Sequence, residues 1–276
     1  MSTEFAVVIP AYNAQDTLAE TLDSVFSQTL APCEVIVADD GSTDGTADVI
    51  KRYQQTHDTL CVVTQENAGT AAAYNAAVAA SSAPWVVMVS ADDILLEQHL
   101  ENIDATLNTH PNAELITTNG YYLDKGAKTL VYERAPCIDD SCSLTQLIDQ
   151  CFFAVGAAFT REVFDVVKGF RENMFAEDYY FFLSALAWRF EHAYAPLPTA
   201  VHRRSVEQKS NKALVMRTEE LQNFEQLLQE FELRESEQQA IARKIAHLKK
   251  NIALRKALYR VLSEERAERL IRKLGR

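Results

Sequence analysis

Two carboxylates stand side by side where a buried strand should end: Asp92 and Asp93 close the segment VMVSADD at residues 87 to 93. Adjacent carboxylates repel, and a hard divalent cation resting against a strand end would hold both ionised. A magnesium-like ion takes one or two carboxylates and completes its shell with phosphate oxygens and water. It can also neutralise the charge that develops on a departing diphosphate. A solvated Asp-Asp pair at a helix N-terminus, favoured by the helix dipole, is the plain alternative. Three other polar clusters follow apolar runs: PAYN at 10 to 13, DDGSTDG at 39 to 45 and ENAG at 66 to 69. Read singly these are turns, with Asp44 capping the next helix and Gly41 supplying a positive φ. Farther on, Glu177 and Asp178 open the apolar helix YYFFLSALAWRF. A carboxylate anchored by such a face can serve as a general base. First-turn acids favoured by the helix dipole would look the same.

Strands and helices must alternate to bring these clusters together. Phe5 to Ile9 is a short apolar strand, and residues 16 to 28 place Leu18, Leu22, Val25 and Phe26 on one helical face, with Asp16 or Thr17 available as a cap. Glu34 to Ala38 starts a second unit, with a helix from about Thr46 to Tyr53. Leu60 to Val63 starts a third, with an Ala-rich helix over Thr70 to Ala80. Trp85 to Val89 reads as a fourth strand, and Leu115 to Thr118 as a fifth after a helix over 96 to 108. Short, fully apolar strands separated by helices predict a mostly parallel sheet covered on both faces, in the doubly wound α/β style. Its ligands bind beyond the carboxyl ends of the strands, where all four clusters of the first half lie. Beyond residue 118 the sheet should become mixed, with a hairpin about Lys125-Gly126, a strand over Ala154 to Thr160 and a helix opening near Glu177. From Ala213 the chain has no Pro, and no Gly before Gly275, so two or three helices are expected after a polar boundary near 205 to 212. This divides the chain into an α/β body at 1 to 210 and a C-terminal helical region at 211 to 276.

Composition fits that division. With 276 residues, 47% hydrophobic content and only 8 Gly and 7 Pro, the chain can bury a large core. The start MSTEFAVVIPAY has neither the basic opening nor the long apolar core of a signal peptide, so the expected location is the cytoplasm. Five cysteines (Cys33, Cys61, Cys137, Cys142 and Cys151) with no C-x-x-C pair argue for free thiols rather than disulfides or zinc. From Arg243 to Arg276 there are twelve Lys or Arg against three Glu, a net of +9 that leaves −21 on the other 242 residues. An acidic body excludes a nucleic-acid reader. The basic helical tail suits packing on the body, a homodimer, or peripheral docking at the inner face of an anionic membrane.

Five blocks carry a family resemblance: VVIPAYNA at 7 to 14, VIVADDGSTDGT at 35 to 46, ENAGTAAAYNAAV at 66 to 78, VMVSADD at 87 to 93 and AEDYYFFLSALAW at 176 to 188. In order and spacing they resemble the family 2 glycosyltransferases of GT-A fold, a Rossmann-like arrangement here followed by a C-terminal helical extension. The resemblance implies a UDP-sugar or dTDP-sugar donor, a glycan or lipid-linked acceptor with a free hydroxyl, and Mn²⁺ or Mg²⁺. It implies that Tyr12 and the backbone at Pro10 flank the nucleobase, and that Asp40 accepts the imide N–H of uracil or thymine. Asn67 would line the nucleotide pocket, Asp92 would face the ribose and Asp93 would bind the metal. Asp178 would be the base that takes the acceptor proton in a single inverting displacement, with Glu177 the weaker candidate.

The chain departs from the family at three positions. Ser90 stands where Asp is common, Tyr74 where Arg is common, and Ser205 where a His often lies near the metal, with His202 or Arg203 available to compensate. It also lacks the Q-x-x-R-W block and the membrane helices of processive synthases, which implies transfer of one sugar at a time in surface polysaccharide or glycolipid synthesis. A nucleotide-sugar binding or scaffold protein without turnover is the competing reading. A nucleotidyltransferase ranks last, because PAYNAQDT has no Gly- and Lys/Arg-rich phosphate loop.

Overall fold

The computed structural model describes residues 3–124, 126–131, 143–150, 155–172, 174, 176–203 and 213–274. Two compact units divide the chain, Met1–Ser205 and Val206–Arg276. The expected boundary at 205 to 212, Ser205 itself, Lys125, Ala154 and Cys137, Cys142 and Cys151 lie outside the described residues. Cys33 and Cys61 are free thiols.

The first unit opens with the expected alternation: β1 (Phe5–Ala11), α1 (Leu18–Phe26), β2 (Glu34–Asp39), α2 (Thr46–Gln54), β3 (Leu60–Thr64), α3 (Thr70–Ala80) and β4 (Trp85–Met88). β1 and β4 are apolar because helices cover both faces, and β1 is buried along its whole length. β1 pairs in parallel with β2 on one side and β4 on the other, and β2 pairs in parallel with β3. Thr17 takes the N-cap position of α1 but its side chain makes no capping hydrogen bond, contrary to the cap expected there.

The rest of the sheet is mixed. β5 (Ile94–Leu95), α4 (His99–Thr109), β6 (Leu115–Asp124), β7 (Ala127–Leu130), α5 (Ser143–Gln150), β8 (Ala158–Thr160), α6 (Arg161–Val167), α7 (Glu177–Ala187) and β9 (His192–Arg203) follow in order. The sheet order is β3-β2-β1-β4-β8-β6-β9-β5, with β7 paired to β6. β8 runs antiparallel to both β4 and β6, and the hairpin is closed by Asp124 opposite Ala127. β9 inserts between β6 and the two-residue β5, where Ile94 faces Val201. That register sets the segment just before Ile94 beside His202 and Arg203. α7 is anchored by an aromatic cluster in which Phe181 lies 4.8 Å from Phe159 and 4.5 Å from Phe170, centroid to centroid.

The second unit comprises α8 (Ala213–Glu230), α9 (Glu235–Tyr259) and α10 (Glu264–Leu274), so the C-terminal region is helical as expected. Within it, Lys244 pairs with Glu220 of α8, and the Arg255 guanidinium of α9 pairs with Glu268 of α10. Among the described residues no helix is long and apolar enough to cross a membrane.

Candidate active site

Strand order places the site. β2 and β3 lie on one side of β1 and β4 on the other, so a crevice opens between the carboxyl ends of β1 and β4, the switch point of an open α/β sheet. The loops after β1 and β2 are laced together there. The Asp40 amide donates to the Ala11 carbonyl at 2.8 Å, the Thr43 amide to Asn13 Oδ1 at 2.8 Å, and the Ala14 amide to Thr46 Oγ1 at 2.8 Å. Asp44 does cap the next helix, its Oδ1 accepting the Thr46 amide at 3.0 Å. Pro10 is buried within β1, whereas Tyr12 just past the strand is 52% exposed. Asn67 is exposed, and its backbone packs so closely on Gly41 that a Cβ there would lie 2.9 Å from the Asn67 nitrogen, at a φ of +73°.

Asp40 is buried, with three partners from its own chain. Its Oδ1 accepts the Gln65 side-chain amide and the Ala68 N–H, and its Oδ2 accepts the Gly69 N–H, all at 2.8 Å. Asp40 thus holds the ENAG loop at the entrance to α3. Asp39, also buried, accepts the Ser42 amide at Oδ1 at 3.0 Å, and its Oδ2 takes no hydrogen bond among the described residues.

The two carboxylates of SADD differ in setting. Asp93 is 1% exposed and clasps β9: its Oδ1 meets His202 Nδ1 at 3.0 Å and accepts the Arg203 amide at 3.0 Å, and its Oδ2 lies 3.3 Å from His202 Nδ1. Burial raises its pKa against the opposing hydrogen bond from His202. The Arg203 guanidinium pairs with Glu20. Asp92 is half-buried.

Beneath this loop, α1 and the residues just after it contribute a polar row that sequence reasoning missed. Thr21 Oγ1 donates to the carbonyls of Ala91 and Asp93, Ser24 Oγ accepts the Leu95 amide, and Gln28 donates to the Leu96 carbonyl. Their spacing of three and four residues on the face that carries Leu18, Leu22 and Val25 was the signal available. Among the described residues no three His, Cys, Asp or Glu side chains converge to hold a metal ion. A hard cation that takes one or two carboxylates and completes its shell with diphosphate and water needs no such trio, and the SADD donor set fits it.

Asp178 is the one residue of α7 that is not fully buried. Its Oδ1 accepts the Tyr179 amide at 2.7 Å, and burial of the carboxylate raises its pKa, with the Tyr179 and Asp178 amides and the His202 charge opposing. Glu177 is buried. Burial raises the pKa of the Tyr74 hydroxyl on α3, and the charges of Asp178, Asp93 and Glu177 add to that rise. Asp93, Asp178 and Glu177 thus lie near enough to Tyr74 to act on it electrostatically, while Asp40 holds the loop at the start of α3.

Residues 6–167 match the family model described as glycosyl transferase family 2, more than half of the chain. The chain belongs to glycosyltransferase family 2. It is 36% identical over 97 residues to the putative teichuronic acid biosynthesis glycosyltransferase TuaG of Bacillus subtilis, and 32% identical over 100 residues to glycosyltransferase GlyA of Streptococcus pneumoniae. These matches cover 35% and 36% of this chain, but only 38% of TuaG and 14% of GlyA. The chain thus spans well under half of these curated relatives. In structure the glycosyltransferase fold resembles S. aureus TarS residues 1–349 in complex with UDP-GlcNAc, with a TM-score of 0.72, 20% identity and coverage of 88% of this chain and 72% of that one. It also resembles the mannosyltransferase PcManGT from Pyrobaculum calidifontis in complex with GDP-Man and Mn²⁺, with a TM-score of 0.67, 19% identity and coverage of 100% and 80%. The fold is accordingly GT-A, as the sequence blocks implied.

Proposed function

We propose that this family 2 glycosyltransferase moves a single sugar from a UDP-sugar to a hydroxyl acceptor, with inversion, in synthesis of a surface polysaccharide or glycolipid. The observation that carries the reading is that Asp93, held by His202 at 3.0 Å, follows β4 at the crevice between β1 and β4, with the His202 charge also acting on Asp178. Tyr12, exposed at the mouth, stacks on the nucleobase, with the backbone at Pro10 behind it and Asn67 at the rim. With Asp40 engaged by Gln65, Ala68 and Gly69, the neighbouring Asp39 is the better acceptor for a uracil imide through Oδ2. Asp92 and Asp93 are the carboxylates that would hold Mn²⁺ or Mg²⁺, and the contacts of Asp93 with β9 fix the loop that carries them. When bound, the cation would neutralise charge on the departing diphosphate.

Asp178 takes the proton from the acceptor hydroxyl as that oxygen bonds to the anomeric carbon and the bond to the diphosphate breaks on the opposite face. Its raised pKa suits a base better than an ordinary carboxylate would. The nucleotide reading is tested by UDP and Mn²⁺ raising the melting temperature, and the chemistry by sugar-nucleotide turnover with Mn²⁺. Asp178→Asn is expected to keep UDP binding and lose about 10²- to 10⁴-fold in turnover. Equal turnover in the two proteins would favour a nucleotide-sugar binding protein instead.

A further inference from the structure

Tyr12 follows β1 and Asp39 ends β2, and a run of hydrogen bonds joins the two. Both neighbours of Tyr12 are tied to the loop after β2. On one side the Ala11 carbonyl accepts the Asp40 amide at 2.8 Å, and on the other the Asn13 amide donates to Ser42 Oγ at 3.0 Å. Asn13 also holds that loop with its side chain, Oδ1 accepting the Thr43 amide at 2.8 Å. Its φ is +48°, the left-handed region that asparagine enters more readily than most residues, and in that conformation its amide and its side chain both meet the second loop. Ser42 completes the link. Its own amide donates to Asp39 Oδ1 at 3.0 Å, so Ser42 touches Asp39 through its backbone and Asn13 through its side chain. Asn13 and Thr43 are exposed and Ser42 is half-buried, so this clasp lies outside the sheet core and adds little burial to its stability.

We propose that Ser42 and Asn13 are positioning residues whose clasp holds the exposed Tyr12 ring and the Asp39 carboxylate at the spacing of a pyrimidine's face and its imide edge, and so sets the choice of uracil. The proposal rests on the nucleotide reading given above, in which Tyr12 stacks on the base and Asp39 accepts its imide N–H. A stacking ring alone is tolerant, because every base has a π-face. An ionised carboxylate only accepts, so it favours uracil, which presents an N–H at that edge, over cytosine, which presents a bare ring nitrogen. That discrimination requires the base plane and the carboxylate to be fixed relative to each other, and the chain Tyr12-Asn13-Ser42-Asp39 does this before any ligand arrives. Loosening the clasp should therefore act on affinity and base choice, through the cost of ordering both loops on binding, rather than on the chemical step.

The experiment compares wild type with Ser42→Ala, Ser42→Thr and Asn13→Gly. Dissociation constants for UDP and for CDP are measured with Mn²⁺ by calorimetry, and turnover is followed on whichever UDP-sugar of a panel wild type hydrolyses fastest. Ser42→Ala removes the acceptor of the Asn13 amide but keeps the backbone bond to Asp39, and Asn13→Gly accepts the positive φ and removes only the bond to Thr43. Each is expected to weaken UDP about three- to tenfold and to shrink the ratio of the CDP to the UDP dissociation constant about twofold or more, with kcat at saturating donor within about twofold of wild type. Ser42→Thr keeps the hydroxyl and should stay within about twofold of wild type throughout. The proposal is overturned if either Ser42→Ala or Asn13→Gly binds UDP within about twofold of wild type, or if UDP and CDP weaken in equal proportion, as a merely structural loosening would give. A wild-type protein that binds no UDP, or binds CDP as tightly, would instead overturn the nucleotide reading.

Discussion

Acidification should weaken the fold through His99, a histidine with no exposed surface. At the first position of α4 its ring bridges two elements: Nε2 lies 2.9 Å from the Gly156 carbonyl and Nδ1 2.9 Å from Thr199 Oγ1 of β9. A carbonyl only accepts, so Nε2 carries the proton and Nδ1 accepts from the Thr199 hydroxyl. Burial lowers the pKa from 6.5 to about 4, with backbone hydrogen bonding at Gly156 and Thr199 opposing only in part. In the unfolded chain the ring titrates near 6.5, so the folded state binds fewer protons between these values and stability falls as pH falls. The loss begins near 6.5 and is complete below about 4. Between pH 7 and pH 5 linkage puts it at about 2 kcal/mol, a large share of the roughly 5–15 kcal/mol that holds a typical domain.

Asp93 and Asp178 work in the opposite sense, since raised carboxylate pKa values favour the folded state as pH falls. The His99 contribution must therefore be isolated by difference. Urea unfolding of wild type and His99→Gln at pH 7 and pH 5 does this, because glutamine can reach both partners but does not titrate. The variant should be less stable at pH 7 and lose about 2 kcal/mol less than wild type on going to pH 5. An equal loss in the two proteins would refute the assignment. A companion substitution, Gly156→Ala, would place a Cβ 2.2 Å from His99 Cε1 and should expel the ring, flattening the same pH dependence.

Two further outcomes follow from the site. The acidic limb of kcat/KM should lie above the usual carboxylate range of about 4, because the base must lose its proton and Asp178 holds it to higher pH; a limb at or below about 4 would exclude Asp178 as that base. Asp40→Ala should leave the Ala68 and Gly69 amides without their acceptor and cost about 1–3 kcal/mol, read as a lower urea midpoint with weaker UDP binding; an unchanged midpoint would deny Asp40 its hold on the loop.

The sheet core was legible in the sequence because β1, β2 and β4 are short apolar runs closed by polar turns, and the helix that Glu177 opens was legible as an apolar run behind two acids. What escaped was non-local. The sequence offered His202 only as a stand-in near a metal, not as the partner of Asp93 109 residues away, and the contact arises from the pairing of a two-residue β5 with the end of β9. Such a strand is too short for periodicity to register. That Asp40 rather than Asp39 holds the ENAG loop likewise depends on three hydrogen bonds from a segment some 25 residues on, which pattern could not assign to one of two adjacent identical residues. The Thr17 cap was a local rule that the structure does not follow, since the Thr17 hydroxyl makes no bond to the first turn of α1.

β9 is the last strand of its sheet to leave the ribosome, and it must slip between β6 and β5, both already made. Until then Asp93 has neither the Arg203 amide nor the His202 ring to hold it. The nascent chain can shape the loops after β1 and β2 early, but the Asp93 loop is held only when residue 203 arrives, so a polypeptide cut short before that point is born with its cleft unlatched.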